Sequence, residues 1–126
     1  RHAAACRAAM PDAAHKEAAW LLLTGGQAGP ETVAAVARGF IQPEQAGLLA
    51  GYAGRYLAQI EDIWAGSSGF LRVHLGALLF PYPAATAELP RLIEQFLAAP
   101  RDPALARMLR DRQDDVQRAL TSRALA

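Results

Sequence analysis

Arg38-Gly39-Phe40-Ile41-Gln42-Pro43-Glu44-Gln45, continuing through Leu48, Tyr52, Tyr56 and Ile60 to Trp64, is the stretch whose spacing decides the fold. From Pro43 onward the large apolar residues stand at Leu48, Leu49, Tyr52, Tyr56, Leu57, Ile60, Ile63 and Trp64. Steps of three and four residues align them on one face of an α-helix, and that face is expected to be buried. Pro43 suits a first helical turn, where its missing N–H costs nothing, and Glu44 complements the positive end of the helix. Gly47, Gly51 and Gly54 each cost about 1 kcal/mol relative to alanine in a helix interior. Either a bend near Gly51 or close helix contacts must offset them, which predicts two short helices or one bent helix.

The same period extends outward in both directions. Pro11-Asp12 precedes Ala14, Ala18, Leu21 and Leu22, with Thr24-Gly25-Gly26 as a stop signal. Pro30-Glu31 opens a further helix with Val33, Val36, Ala37 and Phe40 on its face. Beyond Trp64, Gly66-Ser67-Ser68-Gly69 interrupts the pattern, and a helix through Leu71, Leu75, Leu78 and Leu79 is expected before Phe80-Pro81-Tyr82-Pro83. Leu89, Leu92, Ile93, Phe96 and Leu97 follow the helical template in full. After the connector Pro100-Arg101-Asp102-Pro103, the residues Leu105, Met108, Leu109, Val116 and Leu120 line one or two final helices. No strand pattern interrupts this order. The pattern supports an all-α fold, an irregular α-solenoid or a compact bundle, and the expectation is an irregular array of antiparallel helix hairpins of the α-solenoid or HEAT-like kind, with residues 1–126 as a single helical domain.

Composition agrees. Alanine makes up about a quarter of the chain, and 52% of residues are hydrophobic against 20% charged, the balance of a globular helical protein. A net charge of +1 supplies no basic field for nucleic acid. No run approaches a membrane span, and one cysteine cannot close an internal disulfide, so a cytoplasmic location is expected. The chain opens at Arg1, and His2 to Met10 reads as the back half of a helix, the pattern of a piece of something longer.

Candidate chemistry is sparse. His2, His15 and His74 form no H-E-x-x-H pair, so no metal site is expected. His15 beside Lys16 and Glu17 reads as a solvated helix face, and His74 as a surface residue. Asp111, Asp114 and Asp115 lie within helical reach of Arg107, Arg110, Arg112 and Arg118, which favours ion pairs over a cation site. Cys6 lacks a base nearby in sequence and reads as a small buried or half-buried residue. Trp20, Tyr52, Tyr56 and Trp64 stand at helical spacing and read as core packing rather than a recognition surface. No catalytic residue is assigned.

Several segments, taken in order, carry a family resemblance: Pro11-Asp12 with Ala18-Ala19-Trp20, Val36-Ala37-Arg38-Gly39-Phe40-Ile41-Gln42-Pro43, Leu48-Leu49, Tyr52, Arg55-Tyr56, Ile63-Trp64, Leu79-Phe80-Pro81, Arg112-Gln113-Asp114-Asp115-Val116 and Arg118-Ala119-Leu120. Together they resemble the extreme C-terminal part of aminopeptidase N of the actinobacterial type. The resemblance implies a zinc aminopeptidase that removes N-terminal residues from peptides. Its H-E-x-x-H motif, distant glutamate ligand and G-A-M-E-N motif would lie in an upstream catalytic domain. None of these is in this sequence, so no catalytic or zinc-binding role passes to any residue here.

In that family the C-terminal helical domain encloses the chamber over the active site, so the expected partners are the upstream catalytic domain and the peptide substrate. Arg55 and Arg72 are the candidate contacts for a peptide carboxylate, chosen because they stand on helices away from the acidic residues of the final helices. The alternative is an independent helical adaptor that binds a partner protein in a concave groove.

Overall fold

The computed structural model describes residues 2–66, 72, 80, 82 and 86–125. Among them every regular element is helical: α1 (His2–Ala8), α2 (Ala13–Thr24), α3 (Pro30–Phe40), a 3-10 turn (Pro43–Gln45), α4 (Ala46–Leu49), α5 (Tyr52–Ala65), α6 (Leu89–Leu97) and α7 (Pro103–Leu125). The all-α expectation holds. The helix expected through Leu71, Leu75, Leu78 and Leu79, and His74 with it, lies outside the described residues. The chain divides into two compact units, Arg1–Ala84 and Ala85–Ala126.

In the first unit, local sequence chemistry sets the helix ends. Asp12 caps α2 by accepting from the His15 backbone N–H at 2.9 Å, satisfying one of the donors that a helix start leaves open. Gly25 and Gly26 end the helix, and Gly26 takes φ of 77°, a conformation that side-chain-bearing residues avoid. Pro30 opens α3, whose Val33, Val36, Ala37 and Phe40 are all buried as their spacing requires. After Pro43 the chain makes a 3-10 turn and the single turn of α4, then breaks at Ala50-Gly51 before α5 begins. The expected interruption near Gly51 is therefore present. A methyl group built at Gly47, Gly51 or Gly54 would meet nothing within 4 Å, so close helix contact is not what offsets these glycines.

Gly39 is different. A methyl group there would run into the backbone carbonyl of Ala5 and lie 3.3 Å from the Ala8 side chain, so this glycine lets α1 and α3 pack backbone to backbone. The core beneath them is aromatic. Trp20, Phe40 and Tyr52 meet with ring centroids 5.0 to 5.7 Å apart, and Tyr56 meets Phe80 edge-on at 5.5 Å. Trp20, Tyr52, Tyr56 and Trp64 are buried, in agreement with the core reading of these aromatics.

Two expectations are corrected. The solvated-face reading fails at Lys16: His15 and Glu17 stay partly exposed, but Lys16 is fully buried, on the stripe that also carries Ala19, Trp20 and Leu23. Its Nζ donates to the Ala8 carbonyl at 2.7 Å and the Phe40 carbonyl at 2.9 Å, and it stands 5.5 Å from the Phe40 ring centre. Those carbonyls end α1 and α3 and have no partner within their own helices, so one ammonium satisfies two helix ends at their negative poles. Gln45 adds a third tie, donating to the Ala9 carbonyl at 2.9 Å. Cys6 is the second correction. It is exposed, because it falls on the side of α1 opposite the α3 contact made by Ala5 and Ala8.

The second unit is the α6–α7 hairpin. Asp102 caps α7 by accepting from the N–H groups of Ala104 and Leu105, so the final segment is one 23-residue helix. Leu89 and Ile93 of α6, and Leu105, Leu109 and Val116 of α7, are buried. Gln113 donates to the Pro90 carbonyl at 2.9 Å, and Arg110 reaches Glu94, which fixes the antiparallel pairing. Asp115 pairs with Arg112 and Arg118, as the ion-pair reading of this acidic run expects.

Candidate functional site

The densest polar constellation among the described residues lies where α2 meets α5. Glu17 and Trp20 are one turn apart on α2, and Tyr52, Arg55 and Gln59 fall at three- and four-residue steps on α5. The Arg55 guanidinium grips both Glu17 carboxylate oxygens, with Nη2 to Oε2 at 3.1 Å. Tyr52 donates its hydroxyl to the same carboxylate at 2.9 Å, and the Trp20 indole N–H donates to Gln59 Oε1 at 2.8 Å. Arg55 also stands over the rings of Tyr52 and Trp20, 5.1 and 5.5 Å from their centres.

Electrostatics follow from these contacts. The Arg55 hydrogen bonds, helped by Tyr52, hold the Glu17 carboxyl below its usual value. Burial, reinforced by the neighbouring Glu17, pushes the Tyr52 phenol up to about 12. The Glu17 carboxylate raises Arg55. The cluster holds a cation, a carboxylate and a protonated phenol, each partnered by another, so its chemistry is that of a latch between two helices. Arg55 and Glu17 keep 39% and 43% of their side chains exposed, so an incoming carboxylate would meet Glu17 already bound at the guanidinium.

Arg72 sits in other surroundings. Its Nε donates to the Trp64 carbonyl at 2.7 Å, and its guanidinium stands 5.9 Å from the Trp64 ring centre. The Trp64 indole N–H is buried without a hydrogen-bond partner among the described residues. The described contacts of Arg55 and Arg72 have no residue in common. Arg55 also has an acidic partner from α2, which was not legible from its distance to the final helices.

Other combinations offer less. The Cys6 thiol lies 3.6 Å from His2 Nε2, one helical turn away, but both are exposed and no third group among the described residues joins them. Asp12 draws close to His15, which lowers the Asp12 carboxyl through the His15 backbone and ring hydrogen bonds. Among the described residues no three His, Cys, Asp or Glu side chains gather as a metal site would require, so they do not fit zinc. A cleft of about 80 Å³, with Ala4, Ala8, Ala18, Leu22 and Val36 among its walls, is too small for a peptide. Lys16, the one buried cation among the described residues, escaped the sequence reading although its place on the Ala19, Trp20 and Leu23 stripe could have revealed it.

No family model matches the chain. Over 126 residues it is 33% identical to aminopeptidase N of Streptomyces lividans, a match that takes in 98% of this chain. The chain spans about 15% of the length of that relative. No helix among the described residues is long and apolar enough to cross a membrane.

Proposed function

We propose that this chain is the C-terminal, non-catalytic helical domain of a zinc aminopeptidase that removes N-terminal amino acids from peptides. In this reading it caps the chamber over the active site and shapes peptide access. The observation that carries it is the end-to-end match with aminopeptidase N of Streptomyces lividans, over a length far short of that protein. The use of the polar groups supports it. Glu17, Tyr52, Arg55 and Lys16 are spent on joining helices, as befits a wall rather than a reaction centre.

A stack of helix hairpins of the HEAT-like kind has a concave side that can close a chamber, admitting peptides and turning away folded proteins. Zinc then belongs to a catalytic domain upstream in the same polypeptide, which is the partner of this one, and the reducing cytoplasm suits its single thiol. Arg55 and Arg72 remain the cations proposed to face a peptide carboxylate. Arg55 would do so by trading Glu17 for substrate.

The test is made on the full-length gene product. It should release N-terminal residues from peptides in a zinc-dependent manner, while residues 1–126 alone with added zinc should be inert. Deleting these residues should alter how kcat/KM varies with peptide length more than it alters hydrolysis of a single-residue aminoacyl substrate. Turnover by the isolated segment, or a full-length protein inert toward peptides, defeats the reading. Charge reversal at Arg55 and Arg72 together should raise KM for short peptides relative to aminoacyl substrates. An unchanged ratio removes their part in it.

A further inference from the structure

Helix α2 is built the wrong way round for a helix that faces water. Its polar residues are His15, Lys16, Glu17 and Thr24. None of them covers its outer side: His15 turns to Asp12, Lys16 enters the core, Glu17 is held by Tyr52 and Arg55, and Thr24 donates to the Trp20 carbonyl. Opposite the buried stripe of Lys16, Ala19, Trp20 and Leu23 lie Ala14, Ala18 and Leu21, spaced i, i+4 and i+7. All three are exposed, Leu21 to 57%, and Leu22 beside them to 36%. A surface helix normally shows water its charged face, and α2 shows it alanine and leucine.

We infer that the outer face of α2, formed by Ala14, Ala18, Leu21 and Leu22, is the surface that docks this domain onto the remainder of a longer polypeptide, received there as an apolar helix face. The inference rests on the function proposed above and names the contact that reading leaves open. Two small side chains one turn apart let another helix come close, and Leu21 beside them supplies a knob for its groove. The four side chains of the face carry no charge, and Arg7 and His15 stand only at its border beside Ala18 and Leu22, so the partner should be apolar where it meets α2. The occupant is the rest of the same polypeptide because the relative matched end to end by this chain holds most of its length elsewhere. A neighbour in the same chain is present at high effective concentration.

The experiment uses the full-length gene product and the variants Leu21→Glu, Leu21→Ala and, as a control on exposed α7, Gln117→Glu. Limited proteolysis is followed by the appearance of a fragment carrying residues 1–126, with aminopeptidase activity measured alongside. Leu21→Glu should release that fragment about tenfold faster than wild type, since cleavage follows the population of the undocked state and a buried leucine's contribution is of that order. Leu21→Ala should accelerate release in the same direction and keeps the test valid if the charged variant does not fold; Gln117→Glu should match wild type. Wild-type rates in both Leu21 variants, or equal acceleration by the control, overturn the docking surface. So does loss of an oligomer without faster release, which would make a second copy the occupant. Faster release in a long protein devoid of aminopeptidase activity sustains the docking surface and defeats only the proposed function. A gene product no longer than these 126 residues overturns both.

Discussion

Replacing Lys16 with methionine should destabilise the protein by about 2–4 kcal/mol. The substitution preserves most of the side chain's volume and removes only the ammonium. Two carbonyls, of Ala8 and Phe40, then lose their partners in a fully buried setting. Each orphaned group costs about 1–3 kcal/mol, which already reaches about 2 for the pair at the low end. The cation's interaction with two helix C-termini adds about 0.3–1 kcal/mol per helix, and its place near the Phe40 ring about 0.5–1. Relief from burying a charge acts the other way and keeps the total below the sum of these gains.

Urea unfolding followed by tryptophan fluorescence reads the change as a lower midpoint at unchanged slope. Burial holds the Lys16 ammonium below 10.5, with Glu44 and Asp12 opposing. Between that lowered value and 10.5 the unfolded chain binds more protons than the folded one, so wild-type stability from this group rises with pH across the window. The methionine variant lacks that rise, and its deficit should therefore widen there. A deficit under about 0.5 kcal/mol would refute the two-carbonyl account of Lys16, and one that narrows over the same window would refute the lowering of its ammonium by burial.

Gly39→Ala should cost about 2–3 kcal/mol in thermal unfolding, because the new methyl meets Ala5 backbone rather than a side chain that can turn away; a neutral or stabilising result would mean that α1 does not pack there. The Tyr52 phenol, ordinarily near 10.0, is pushed up to about 12, so stability fully present below 10 is lost as pH rises toward 12. In Tyr52→Phe that alkaline loss, about 2–3 kcal/mol in wild type, should disappear from pH-dependent urea midpoints, and the loss persisting would assign it to another group.

Much of the fold is legible in residue order because helix periodicity and helix ends are local properties. Pro11-Asp12, Thr24-Gly25-Gly26 and Pro30-Glu31 mark their helix ends through backbone donors and permitted φ values, and the structure follows them. The break at Gly51 was legible for the same reason. The buried aromatics followed from spacing alone. The stripe with Ala19, Trp20 and Leu23 could have placed Lys16 inward, but its carbonyl partners and the exposure of Cys6 were not legible, since whether a helix side is covered depends on segments distant in sequence. The ammonium is buried because α1 and α3 both end against it, and the thiol is exposed because Gly39 draws the other side of α1 inward.

The site shows the same division. Arg55 could be picked out as a cation on a helix, but its partner Glu17 comes from α2, 38 residues earlier. The stretch from Arg38 to Trp64 by itself determined a helical protein with an apolar face and an interruption at its glycines, because hydrophobic period and glycine cost act within a few residues. Tertiary structure decided which polar groups became internal ties and which apolar face of α2 was left outward. Those outcomes depend on how helices far apart in the chain meet, and only packing brings their side chains within hydrogen-bond reach.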